Sequence, residues 1–278
     1  MRAMIGHGAA FASRIAPFER GRWRLGALAY RMLNQRAASE KCVVRTRHGF
    51  SMALDLGQFI DRTIYCTGEW EPRETAVIRR TLRPGDTFID VGANIGYFSL
   101  LAAELVGPKG RVHAFEANPR TFRLLQANLD LNGAGNVAAH HFAIGEKAGH
   151  ATIHQPEDGN IGSDFASPAA GDGDRAQIPM DRIDAVVRDK RIRLIKLDIE
   201  GGEAKALRGA SGFLEADIAP DLLFEYAPKL LERVGDDGEA LLEWLRALGY
   251  TLHEIATHDG GSSAATQIYY HATKADVR

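Results

Sequence analysis

The chain has 278 residues, with 34 Lys and Arg against 36 Asp and Glu and a net charge of −2. That length suits one large or two small domains, and the balanced charge argues against a general nucleic-acid binder, which would be basic. Two cysteines, Cys42 and Cys66, cannot build a zinc site alone and read as free thiols in a reducing compartment.

Residues 1–38 carry seven arginines against the single acid Glu19, and Leu25, Leu28, Ala29, Met32 and Leu33 recur at helical spacing. One or two basic amphipathic helices are expected, packed on the domain or offering a face to an anionic substrate, membrane or glycolipid. The apolar part Ala9 to Ala16 is interrupted by Arg14, so no signal peptide is expected, and no apolar run approaches the ~20 residues of a membrane span. The expected location is cytoplasmic. Cys42 to Arg47 and Phe50 to Asp55, joined by His48-Gly49, read as a β-hairpin. Ile60 to Gly68 reads as a short helix or loop, and Glu74 to Leu82 as a helix stopped by Arg83-Pro84-Gly85.

From Thr87 strands alternate with helices. Thr87 to Val91 is the first strand and Tyr97 to Leu105 its helix. Arg111 to Glu116 follows, then a helix from Pro119 to Leu131. Val137 to Ile144 is expected as one strand and Ala151 to His154 as a shorter one. Gln155 to Gln177 has the composition of a long functional loop. Asp181 to Val187 reads as a short helix, Leu194 to Glu200 as a strand, Glu203 to Phe213 as a helix, and Asp221 to Tyr226 as a strand. Gly238 to Leu248 is helical, and Tyr250 to Ile255 with Thr266 to Tyr270 closes the chain as an antiparallel pair. The alternation predicts a mostly parallel α/β sheet with helices on both faces. It suggests an N-terminal extension, 1–84, ahead of a ligand-binding domain, 85–278.

The stretch Asp90-Val91-Gly92-Ala93-Asn94-Ile95-Gly96 joins a buried strand to a helix through a glycine turn. Such a turn brings backbone close to a nucleotide-like ligand at the carboxyl end of a sheet. No Lys follows Gly96, so it is not a P-loop, and Asn94 stands where a dinucleotide motif has its second glycine. That weakens an NAD-dependent reading. An ordinary strand-to-helix turn is the plain alternative.

Four acids, Asp90, Glu116, Asp198 and Glu225, fall at successive strand ends, where an open parallel sheet forms its crevice. Glu116 stands where a carboxylate can accept both hydroxyls of a ribose. If the strand persists, Lys196, Asp198 and Glu200 share one side of it. Asp198 and Glu200 are then candidates to orient a ligand amino group or to accept a proton from a hydroxyl. Glu203 reads more simply as a helix-start residue. His140, His141 and His154 are general-base candidates by pKa alone, and each reads more simply as a surface residue. No metal site is expected: there is no H-E-x-x-H, and Asp198 with Glu200 lacks a clear third ligand for Mg²⁺.

Together, Arg47-His48-Gly49, Gly68-Glu69-Trp70-Glu71-Pro72, Asp90 to Gly96, Phe115-Glu116-Ala117-Asn118-Pro119 and Ile195 to Glu203 resemble the FkbM-type family of S-adenosylmethionine (AdoMet)-dependent methyltransferases. The loop piece Asn160-Ile161-Gly162-Ser163 also looks like that family's Asn-x-Gly-Ser segment. The resemblance implies a Rossmann-like class I methyltransferase fold with a seven-stranded, mostly parallel sheet. It implies AdoMet as cofactor and methyl transfer to a hydroxyl of a small molecule such as a sugar, glycolipid or natural product. By the same carry-over, Gly92, Asn94 and Gly96 hold the methionine end and Glu116 the ribose, while Ala143 and Ile144 line the adenine. Glu71, Asp90 and Ala117 join the cofactor set, and Asp198 and Glu200 face donor and acceptor as catalytic candidates. Gly202, where alanine is usual before Glu203, is a mild departure. The rivals are a methyltransferase acting on protein or RNA and a non-catalytic AdoMet-fold module. The Asp198-Ile199-Glu200-Gly201 sequence lacks the Asn-Pro-Pro-Tyr of base-amine methyltransferases.

Overall fold

The segment ahead of the glycine turn folds as helices α1 (Arg2–Ile15) and α2 (Glu19–Leu33), a hairpin of β1 (Lys41–Arg45) and β2 (Ser51–Asp55), and helices α3 (Phe59–Thr67) and α4 (Pro72–Thr81). These bounds come from a computed structural model that describes residues 2–16, 19–33, 40–154, 165–168, 177–189, 191–255 and 268–274. Next come β3 (Thr87–Val91), α5 (Tyr97–Val106), β4 (Arg111–Phe115), α6 (Pro119–Asn132) and β5 (Val137–His140). Asn118 fixes the start of α6 by accepting the Arg120 and Thr121 backbone N–H groups, with Pro119 at the first helical position. The side chains of Asn128 and Asn132 on α6 accept the backbone N–H groups of Ala53 and Ser51 at 2.8 and 2.7 Å. Met52, Ile64 and Phe88 share one apolar core, so the hairpin and α3 pack on the same interior as the sheet.

β3 to β5 continue into β10 (Ile192–Leu197), β11 (Asp221–Tyr226), β12 (Tyr250–Ile255) and β13 (Ile268–Lys274), giving a seven-stranded sheet of order β12-β13-β11-β10-β3-β4-β5. Every pairing from β5 to β11 is parallel, and β13 runs antiparallel to both of its neighbours. The chain order reverses between β3 and β10, and the carboxyl ends of the two strands open a crevice there. All five residues of β3 are buried, as a strand covered on both faces requires. Its side chains divide between two cores, Phe88 on one face and Ile89 and Val91 on the other.

Several elements differ from the sequence expectation. The strand expected over Val137 to Ile144 breaks after β5. His140 stacks on Phe115 (4.5 Å), His141 stacks on Phe122 (4.7 Å), and these contacts turn the chain away from the sheet. Ala143–Ile144 (β6) then joins β7 (Gly149–His154), β8 (Phe165–Pro168) and β9 (Gln177–Asp181) in a second sheet of order β6-β9-β7-β8. α7 (Ile183–Val186) follows β9. The strand expected to reach Glu200 stops at Leu197, because Glu200 (φ 54) and Gly201 (φ 104) leave extended backbone. The helix expected over Glu203 to Phe213 is two, α8 (Glu203–Arg208) and α9 (Ser211–Leu214). They part at Gly209, where a Cβ would collide with the Gly145 carbonyl. α10 (Pro228–Arg233) was not expected, α11 is Gly238–Ala247, and β13 is described from Ile268, residues 266 and 267 lying outside the described residues. Of the long loop, residues 155–164 and 169–176, including Asn160 to Ser163, lie outside the described residues.

Candidate active site

A cavity of about 270 Å³ opens at the carboxyl ends of β3, β4 and β10. Gly92 and Asn94 form its floor. Phe115, Phe142, Ala143, Ile144 and Met180 form an apolar wall, Glu116 to Asn118 one edge, and Asp198 to Glu200 the other end. Gly92 (φ 81) is required twice over: its conformation suits glycine, and a Cβ would run into the Asp198 carbonyl. The backbone N–H groups of Gly92 and Ala93 both donate to the Phe115 carbonyl, at 3.0 and 2.9 Å, which ties the turn to the end of β4.

The same turn holds Glu116. Asn94 N–H donates to Glu116 Oε2 at 2.9 Å and Asn118 N–H to Oε1 at 2.8 Å. A carboxylate anchored in this way at the carboxyl end of a strand suits a pair of neighbouring hydroxyls.

At the far end, Asp198 Oδ2 accepts from Lys196 Nζ at 3.0 Å and from the Tyr269 hydroxyl at 3.2 Å. The Tyr269 oxygen also lies 3.3 Å from Glu71 Oε1. A phenol has one proton. Burial, then the Asp198 charge, pushes Glu71 well above the usual carboxylate range. A protonated Glu71 donating to Tyr269, which donates to Asp198, gives each of the two protons an acceptor. Lys196 is buried, and burial alone would lower its pKa. The charges of Asp198 and then Asp90 outweigh that and raise it above its ordinary value. Glu200 is pushed up to about 7 by burial, then by Asp198 and Glu203. Glu225 is buried, and burial followed by Asp198 raises it well above 4.5. Glu203 accepts the Ile199 and Gly201 N–H groups, at 2.8 and 3.0 Å, and so closes the turn after β10.

Of the residues expected at the site, Gly92, Asn94, Glu116, Ala117, Ala143, Ile144, Asp198 and Glu200 line the cavity together. Asp90, Gly96 and Glu71 do not. Asp90 is fully buried beneath the turn, accepts from Ser99 Oγ at 2.6 Å, and supplies charge to Lys196. Gly96 starts α5 in a left-handed conformation, where a Cβ would strike Leu125. Glu71 sits behind Tyr269 at the start of α4. None of His140, His141 and His154 is on the cavity wall. His140, lowered to about 4 by burial and then His113, is neutral at neutral pH. Among the described residues no three His, Cys, Asp or Glu are placed to hold a metal ion. Sequence reasoning missed Tyr269, Phe142 and Met180. Tyr269 is 71 residues from Asp198 in the chain, and no local spacing marks it.

The strand order with its one reversed strand, the glycine turn and the carboxylate at the next strand end define a class I methyltransferase fold. The chain matches the methyltransferase FkbM domain over residues 90–252, more than half its length, and belongs to that family. It is 29% identical over 175 residues to Methyltransferase 1 of Beauveria bassiana, covering 55% of this chain and 68% of that one. It is 31% identical over 160 residues to the 31-O-demethyl-FK506 methyltransferase FkbM of Streptomyces tacrolimicus, covering 46% and 60%. The crystal structure of methyltransferase FkbM from Methylobacillus flagellatus aligns with a TM-score of 0.46 at 17% identity, over 97% of this chain and 59% of that one. The chain thus spans about three fifths of the length of the two FkbM proteins it matches.

Proposed function

We propose that the chain is an AdoMet-dependent O-methyltransferase acting on a hydroxyl of a small molecule: a sugar, a glycolipid or a natural product. The observation that carries this reading is the Glu116 carboxylate, pinned by the Asn94 and Asn118 amides in the same cavity as Asp198. The donor set fits AdoMet. Glu116 would take the ribose hydroxyls, Phe142, Ala143 and Ile144 the adenine, and Gly92 and Asn94 the methionine end, with the acids around Asp198 complementing its positive charges. When bound, AdoMet supplies a methyl group already activated on a sulfonium.

The protein's own residues then have two tasks. They hold donor and acceptor in line, which can supply much of the barrier reduction. They also take the hydroxyl proton. Lys196 and Tyr269 both address Oδ2 of Asp198, which leaves Oδ1 to meet the acceptor. The name of the Streptomyces relative, a 31-O-demethyl-FK506 methyltransferase, supports oxygen on a small molecule as the acceptor class.

Incubation of the chain with radiolabelled AdoMet and separate pools of sugars, glycolipids, natural-product alcohols, peptides and RNA tests this. Label in a small-molecule hydroxyl is expected. Label confined to peptide or RNA would move the acceptor class, and donor binding without label in any pool would make the chain a non-catalytic module.

A further inference from the structure

Helix α1 is built with its small residues inside. Its buried face is Gly6, Ala9, Ala10 and Ser13, which seats it closely on α2; a Cβ at Gly6 would press on Leu33 and Met32. The opposite face, at spacing i, i+4, i+7, i+11, is Met4, Gly8, Phe11 and Ile15. Met4 is 77% exposed, Phe11 59% and Ile15 66%, with Ile5 beside them at 47%. An amphipathic surface helix ordinarily turns its large apolar side chains inward. Here they face outward, in one contiguous stripe on a helix of 14 residues. A continuous apolar stripe of this kind marks an interaction surface rather than scattered exposure.

The charge of the helix pair identifies the occupant. Residues 1–38 hold seven arginines and one acid in a chain whose net charge is −2. Arg22 is committed to buried Glu69 at 2.6 Å, and Arg14 to the Tyr65 carbonyl. Arg24 and Arg31 stand exposed on α2 with exposed Leu28 between them, at i, i+4 and i+7. A second copy of this chain meeting the stripe two-fold would bring the same basic segment against itself. A bilayer with anionic headgroups offers both complements, acyl chains for the stripe and negative charge for the arginines. At 1.5 Å per residue the helix is about 21 Å long, short of the ~30 Å of hydrocarbon, so it would lie in the surface rather than cross it.

We propose that the α1–α2 hairpin docks on an anionic lipid surface, with Met4, Phe11 and Ile15 in the interfacial layer and Arg24 and Arg31 at the headgroups. This rests on the helix pair alone and is independent of the methyl-transfer reading.

Co-sedimentation of the full chain with vesicles of phosphatidylcholine, and of phosphatidylcholine mixed with phosphatidylglycerol, tests it. The chain sediments with the mixed vesicles and little with phosphatidylcholine alone, and its binding to the mixed vesicles weakens as salt is raised. The double variant Phe11→Ser, Ile15→Ser binds the mixed vesicles roughly tenfold more weakly, in proportion to the apolar area removed. Arg24→Gln and Arg31→Gln each weaken binding about fivefold and shrink the salt dependence. All these positions are exposed, so an unchanged unfolding midpoint and circular dichroism spectrum separate the effect from misfolding. Absence of sedimentation with either vesicle overturns the proposal, as do variants that bind like the parent chain. Self-association without lipid that the Phe11, Ile15 variant abolishes would assign the stripe to a second copy instead.

Discussion

Tyr269 and Asp198 are 71 residues apart in the chain, and their side chains meet at 3.2 Å. Tyr269 comes from β13, the one reversed strand of the sheet, and Lys196 from β10 reaches the same carboxylate oxygen at 3.0 Å. Two strands of the sheet thus fix the orientation of a carboxylate that stands just beyond both. Glu71, from the start of α4, closes the group at 3.3 Å from the phenol.

If this arrangement positions Asp198 for proton removal, Tyr269→Phe lowers turnover and leaves donor affinity nearly untouched. A hydrogen bond to a charged group contributes about 1.5–3 kcal/mol, so turnover falls by roughly ten- to a hundredfold. Asp198→Asn falls further while still binding donor, because the base itself is gone. Turnover in the radiolabel assay and donor affinity by calorimetry separate the two effects. A Phe variant with a lower unfolding midpoint but unaltered turnover would reduce Tyr269 to a packing residue.

Glu116→Ala removes the carboxylate that the Asn94 and Asn118 amides hold. On the proposed reading two hydrogen bonds to the donor disappear, and the turn loses its anchor. Donor affinity then weakens by at least about a hundredfold, counting some 1.5 kcal/mol or more for each charge-assisted bond. Glu116→Gln keeps one acceptor oxygen and falls between the two. Titration calorimetry with AdoMet reads this directly, and unchanged affinity in the Ala variant would remove Glu116 from the donor site.

The sheet was legible because alternating strand and helix patterns and glycine stops are local signals. Asp90 to Gly96 and Glu116 are local as well, and both stretches lie at the crevice. Long-range partners were not legible: Tyr269 meets Asp198 only because β13 inserts beside β11. The break after His140 escaped because Ala143 and Ile144 continue the apolar run, and only stacking on Phe115 and Phe122 shows where the chain turns. The alternation of Lys196, Asp198 and Glu200 imitates a strand past Leu197, yet Glu200 takes a positive φ that composition does not announce. Asp90 looked like a ligand-facing acid. It is a buried counter-charge for Lys196 instead, a distinction that rests on which way one strand residue points.

Gly92 and Gly85 give a controlled pair for the strain argument. Both are in the positive-φ region, at 81 and 91 degrees. A Cβ at Gly85 meets nothing within 4 Å, whereas one at Gly92 runs into the Asp198 carbonyl. Gly85→Ala therefore costs only the backbone term, about 1 kcal/mol. Gly92→Ala adds a collision with fixed backbone and costs roughly 2–4 kcal/mol in all. Urea unfolding of both variants checks the difference, and equal midpoints would mean that the turn relaxes away from β10 at little cost.

Glu200 lies on the cavity wall, and burial, then Asp198 and Glu203, raises its folded pKa from 4.5 to about 7. In the unfolded chain it returns to 4.5. Between those two values the folded state binds more protons than the unfolded state, so stability falls as pH rises through that window. It is highest below the unfolded pKa, and the loss is complete above the folded one. Donor binding runs the other way, since an ionised Glu200 attracts a cationic ligand and a neutral one does not. Affinity for AdoMet therefore climbs as pH passes through about 7 while stability declines. Glu200→Gln removes this group's share of both slopes and leaves the parts due to the other acids that burial raises, Glu203, Glu225 and Asp61. Urea midpoints and calorimetric affinities, taken at steps from about pH 5 to about pH 8, give the two slopes side by side. Parallel curves for the parent chain and the Gln variant in both measurements would show that Glu200 does not titrate there, and would place its charge away from the donor.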